Sequence, residues 1–185
     1  MSTRQKNEFE NIIKDIINNS NFREIDNDVH HGTTKFQHCQ RVAVGTYNVT
    51  KFLGLDYVAA TRSALLHDFF VGKTEGVGEN SYLNHPDTSV INAKKYFVLS
   101  EHETDIIRTH MFHHIFIKKI LRFINPNEDA KLLESRPKSA EGWVVCLVDM
   151  FASLYEWLKF KVGQKAYYQL NILVLFMFFL ITSTK

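Results

Sequence analysis

Apolar residues recur at helical spacing over much of the chain. Phe9, Ile12, Ile13, Ile16 and Ile17 share one face of a helix predicted over about Gln5 to Asn19. A polar stretch, Asn21 to His31, reads as a loop. A second helix is predicted from about Thr34 to Leu53, with Gly54 as its stop. Asp56 then caps a third helix, which carries Leu65, Leu66 and His67 at its end. The stretch Phe69 to Asn84 holds three glycines and reads as a functional loop. Pro86 opens a helix to about Tyr96, and Ser100 with Glu103 forms a capping-box signature for the helix bearing His110. Asn125-Pro126-Asn127 ends the next segment, and Ser139 to Phe160 reads as another long helix. A last, apolar helix is expected over about residues 164–182. With no internal repeats or low-complexity linkers, and only three prolines, this pattern predicts an all-α bundle.

Composition narrows the class. A chain of 185 residues fits one domain with a sizeable core. Apolar content of 45% and charged content of 23% describe an ordinary globular protein rather than a disordered one. The net charge of +2 is small and the basic residues are dispersed, so nucleic acid is not expected as a partner. Cys39 and Cys146 are too few for a disulfide framework and lack CxxC spacing; both read as buried free thiols. The polar stretch from Met1 to Phe9 has no secretory h-region, which makes the cytoplasm the expected compartment. Leu170 to Ile181 is an uncharged run, shorter than the ~18–20 residues of a transmembrane helix and interrupted by Asn171. It is expected to be buried on the domain or in a homodimer interface, with a membrane-associated tail as the alternative.

The chemistry centres on His67 and Asp68, which follow the apolar run Ala64-Leu65-Leu66. An imidazole and a carboxylate at the end of a hydrophobic helix are costly to bury unless something compensates them. A divalent metal does so, since these ligand types suit Zn, Mn and Fe-like ions. Asp149 follows Val144-Val145-Cys146-Leu147-Val148, where an ionised carboxylate also needs a strong partner and a cation is the natural one. Other ligand types stand at His38, His85 and His110, so the order along the chain is His, His-Asp, His, His, Asp.

Three stretches, His38-Cys39-Gln40-Arg41-Val42-Ala43, Ala64-Leu65-Leu66-His67-Asp68 and Cys146-Leu147-Val148-Asp149, carry that order. With it they resemble the HD-domain superfamily of metal-dependent phosphohydrolases, over about Thr33 to Glu156. The resemblance implies a helical bundle with metal ligands on several helices. It implies that His38, His67, Asp68 and Asp149 hold one ion. His85 before Pro86, and His110, match the places that complete a second ion in the two-metal subfamilies. Some relatives carry paired histidines where Met111 follows His110 here; His113 and His114, one turn on, read as pocket residues. Many members place Gly-Lys directly after His-Asp, whereas here Phe69-Phe70-Val71 push Gly72-Lys73 further along. Lys73 is still a candidate phosphate-binding group. Arg41, one turn beyond His38, is expected to reach over the metal with the bidentate fork that suits phosphate.

The implied function is hydrolysis of a phosphate mono- or diester of a small molecule such as a nucleotide. One or two divalent ions (Mn, Mg, Fe, Co, Ni or Zn) would lower the pKa of bound water towards ~7, with Asp68 beside the attacking hydroxide. Two alternatives share these ligands: a di-iron oxygenase of the same superfamily, and a metal-stabilised signalling module without catalysis.

Overall fold

The computed structural model describes residues 1–30, 33–71, 85–114, 116 and 135–183, with His30 and residues 162–183 described in backbone only. Lys73 and the rest of the glycine-containing stretch from 72 to 84 lie outside these residues, as do His31 and 117–134. The protein is mostly helical. Helix α1 (Thr3–Ile17) is followed by the short α2 (Ser20–Arg23), a 3-10 turn (Glu24–Asn27) and a two-stranded antiparallel ribbon, β1 (Val29–His30) with β2 (Thr33–Thr34). Then come α3 (Lys35–Leu53), α4 (Tyr57–Leu66), α5 (His85–Tyr96), α6 (Glu101–Thr109) and α7 (Ala140–Ser183).

Local chemistry sets the helix ends. Ser2, Thr34 and Ser100 each form a reciprocal capping box, with Gln5, Gln37 and Glu103 respectively. The Asp56 carboxylate accepts from the Ala59 amide at the start of α4. Gly54 ends α3 in the left-handed region at φ 69°, where a side chain would be strained. Helix α1 begins two residues earlier than its apolar spacing suggests, because Ser2 supplies the cap.

Helix α3 is the centre of the bundle, packed between α4 and α7, while α4 also packs against α6 and α1. The core runs from Phe9, Ile13 and Ile16 of α1 through Val42, Ala43 and Tyr47 of α3 to Ala64, Leu65 and Leu66 of α4. It continues to Ile106 and Ile107 of α6 and Val145 of α7. Gly45 allows the close approach of α3 and α7: a methyl group there would sit 2.7 Å from Cγ1 of Val148.

The stretch Asn21 to His31, expected as a loop, is folded instead. Two of its apolar residues, Phe22 and Ile25, are three apart and both fully buried. Phe22 meets Phe69 edge-on at 5.2 Å between ring centres and Phe36 at 5.8 Å. Asp28 receives the Lys35 ammonium at 2.6 Å, and Asp26 receives the Thr34 hydroxyl at 2.6 Å. This segment is therefore clamped to the start of α3 and supports the residue that directly follows Asp68. Among the described residues no helix is long and apolar enough to cross a membrane.

Candidate metal centre

Two histidines end their helices in the same way. His67 closes α4 and its Nδ1 lies 2.7 Å from the Ala64 carbonyl; His110 closes α6 and its Nδ1 lies 2.7 Å from the Ile107 carbonyl. A carbonyl oxygen only accepts, so each Nδ1 carries the hydrogen and donates to a last-turn carbonyl that the helix itself leaves unpaired. The lone pair of each neutral ring is then on Nε2, pointing into the bundle. His38 is fixed comparably on α3, with Nδ1 3.0 Å from Oε2 of Glu156. His85 enters from the first turn of α5, and Asp149 from the third turn of α7.

These groups converge on a buried point. Nε2 of His38 is 3.0 Å from Oδ1 of Asp149, and Nε2 of His67 is 3.6 Å from that same oxygen. Asp68 faces two ways. Its Oδ2 is 3.6 Å from His67 Nε2, while its Oδ1 is 3.1 Å from His85 Nε2 and 3.7 Å from His110 Nε2. The two nitrogens of His85 and His110 are themselves 2.9 Å apart.

Such spacings have a simple test. Ligand atoms about 2.1 Å from one ion are about 3.0 Å apart at cis-octahedral corners and about 3.4 Å apart at tetrahedral ones. Observed separations of 2.9 to 3.7 Å bracket both values. Nε2 of His67 and Oδ1 of Asp68 are also fully buried without a well-formed hydrogen bond, a costly state unless a cation engages them. Two groups, His38–His67–Asp149 and His67–Asp68–His110, could each hold a metal ion. The donor set fits a divalent ion.

Electrostatics point the same way. Burial alone would raise Asp149 and Asp68, but the His38 hydrogen bond and the nearby His67 ring at the first, and the charges of His67 and His85 on the second, hold both well below the usual carboxylate range. Burial opposes charge on His38 and His67, yet Asp149 beside the former and Asp68 beside the latter raise both. His110 is pushed down to about 3 by burial and by His67 and His85, so it is neutral at pH 7 with a lone pair to give. The site thus keeps its carboxylates ionised against protonated imidazoles. A divalent cation delivers equivalent positive charge and leaves every Nε2 free to ligate.

The centre opens into a cleft of about 350 Å³. Beside the ligands it is lined by Lys35, Phe70, Met111, His113, His114 and Trp157. Lys35, which the sequence does not single out, lies over the Phe70 ring at 3.4 Å and donates to the Phe70 carbonyl at 2.9 Å. Phe70 in turn stacks on His85 with ring centres 5.1 Å apart.

Of the predicted residues, His38, His67, Asp68, His85, His110 and Asp149 come together, although 111 residues separate the first from the last. Arg41 stands elsewhere than its spacing from His38 suggests. Its guanidinium is bound to Oε1 of Glu156 and packs over Tyr155, and it does not line the cleft. The reason is competition from a carboxylate on α7, 115 residues away in sequence. Glu156 itself was missed. The available signal was its place seven residues beyond Asp149, hence on the same helical face. Cys39 and Cys146 are buried free thiols, as expected. Comparison of the chain with family models, curated proteins and solved structures returned no match.

Proposed function

We propose that this chain is a metal-dependent phosphohydrolase of the HD-domain type, acting on a phosphate mono- or diester of a small molecule. One observation carries the reading. Four imidazoles and two carboxylates from five helices present their donor atoms at the spacing of groups that share an ion, beneath a cleft sized for a small substrate. His38, His67 and Asp149 would hold one ion; His85 and His110 would hold a second, and Asp68 would be available to both, with Oδ2 beside His67 and Oδ1 beside His85. Divalent ions bound there supply Lewis acidity and water of lowered pKa.

The chain's own groups account for the rest. Asp68 is placed to accept a proton from the attacking water, since its oxygens lie at the cleft floor. Lys35 lines the cleft with its ammonium held by Asp28 and the Phe70 carbonyl, so it would contribute positive field near the substrate rather than a free donor. Phe70, Met111 and Trp157 give the organic part of the substrate apolar contact and keep bulk water from the floor. No nucleophilic serine or cysteine is required.

The test uses the full chain stripped with a chelator and reloaded with Mn, Co, Ni, Mg, Zn or Fe. Phosphate release from p-nitrophenyl phosphate, bis-p-nitrophenyl phosphate and nucleoside monophosphates is expected with at least one ion and is lost in Asp68→Asn. Full ion loading with no ester cleaved would refute the hydrolase. Two irons per chain with oxygen consumption would favour the di-iron oxygenase instead.

A further inference from the structure

Where the Nδ1 atoms of His67 and His110 are held by backbone carbonyls, that of His38 is held by a carboxylate. Oε2 of Glu156 lies 3.0 Å from that nitrogen, and Oε1 of the same group binds Arg41. The contact with His38 is sheltered on both sides, with the Glu156 side chain 9% exposed and that of His38 10%, while Arg41 reaches in from a half-buried position. The four residues form a zigzag of three contacts. Helix α3 supplies His38 and, one turn later, Arg41; helix α7 supplies Asp149 and, two turns later, Glu156. Each contact joins one helix to the other.

Charge explains why both Glu156 and Arg41 are needed. A carboxylate this buried is costly alone, and beside Asp149 it would add a second negative charge to one side of the centre. Arg41 offsets that charge, and its planar head is steadied over the Tyr155 ring at 5.5 Å. Glu156 can then accept the His38 Nδ1–H, so that Nε2, beside Asp149, is the nitrogen left to ligate an ion.

We propose that Glu156 is a positioning residue for metal binding, and that Arg41 acts through Glu156 rather than on the substrate. The inference rests on the metal reading of the centre but not on the reaction assigned to it. Mutual dependence is its signature. Removing Glu156 should disable Arg41's contribution, and removing both should cost no more than removing Glu156 alone.

The experiment measures ion affinity in full-length protein by titration calorimetry with Mn²⁺ and by the visible absorption of bound Co²⁺. Glu156→Ala is expected to weaken binding by about 10- to 100-fold, the scale set by carboxylates that orient metal-bound histidines, and to change the Co²⁺ spectrum. Glu156→Gln keeps the shape of the side chain and guards against a folding defect; it should weaken binding less, because its amide oxygen still accepts from Nδ1. Arg41→Met should weaken binding in the native background and have no further effect beside Glu156→Ala. The inference is overturned if Glu156→Ala binds Mn²⁺ as the native chain does while Asp149→Ala does not. It is also overturned if Arg41→Met leaves affinity intact and raises only KM for a phosphate ester. If Asp149→Ala retains full affinity, the metal reading fails, and this inference with it.

Discussion

Gly45→Ala places one methyl group at a close contact between the two helices that carry His38 and Asp149. Gly45 lies two turns beyond His38 on α3, and Val148 directly precedes Asp149 on α7. The new carbon would stand 2.7 Å from Val148 Cγ1. Carbon atoms in contact sit about 3.5–4.0 Å apart, so the helices must separate locally by roughly 1 Å. Val148 is poorly able to turn aside, because a β-branched side chain on a helix is held to one rotamer. Overpacking of this kind costs about 1–3 kcal/mol, and exchange of glycine for alanine inside a helix returns about 1 kcal/mol. The expected net loss is about 1 kcal/mol, or roughly 2–4 °C in Tm for a chain of this size. Ion binding should suffer more than stability. Metal sites hold their distances to about 0.2 Å, so affinity for Mn²⁺ should fall by about tenfold or more, as it does when supporting groups are disturbed. Calorimetric unfolding without metal and titration with Mn²⁺ read the two effects separately. Val148→Ala in the same chain removes the clash and should restore most of the affinity. The reasoning fails if Gly45→Ala binds Mn²⁺ like the native chain, or if the double variant stays as weak as the single one.

His110→Ala should reduce bound metal from two ions per chain towards one, since its Nε2 stands with His85 and Asp68 Oδ1 apart from the His38–Asp149 pair; a native stoichiometry of one under excess Mn²⁺ would exclude the second ion. Glu8 tests a different region. Hydrogen bonds from Lys51, then Tyr57 and Tyr47, lower it from the usual 4.5 to about 2. Because the folded value is the depressed one, its stabilisation is complete above pH 4.5 and disappears as pH falls through that range to about 2. Glu8→Gln should therefore lower Tm at pH 7, and the two melting curves should converge near pH 2. A gap that persists in acid would mean that packing of α1, not charge, is responsible.

Contacts made within a few residues were the ones open to reading in advance. Ser100 with Glu103, Asp56 with Ala59, and Gly54 in its left-handed turn depend on neighbours three or fewer residues away. His67, Asp68 and Asp149 were visible because they stood out in apolar runs, whereas His38, His85 and His110 gained their roles only from the family resemblance. Arg41 misled because local spacing from His38 carried no information about Glu156, which only the tertiary fold brings near. Lys35 gave no signal, since a lysine at the start of a helix is ordinary until Asp28 and Phe70 close around it. The fold of residues 21–30 departs from a loop because two buried side chains, Phe22 and Ile25, suffice to order a short segment that is otherwise polar apart from the exposed Val29.

The nearness of His38 to Asp149 also matters for the unfolded chain. An ion gripping both would tie points 111 residues apart into one loop. A permanent cross-link around about 100 residues removes roughly 4.7 kcal/mol of loop entropy from the unfolded ensemble. Here the cysteines are buried and free, so the covalent form of this staple is absent among the described residues. A metal staple differs in being adjustable: stability gained by binding grows with ion supply, reaching about 2.7 kcal/mol at a hundred times Kd. On the proposed reading, the lifetime of the folded chain would follow the metal content of its surroundings.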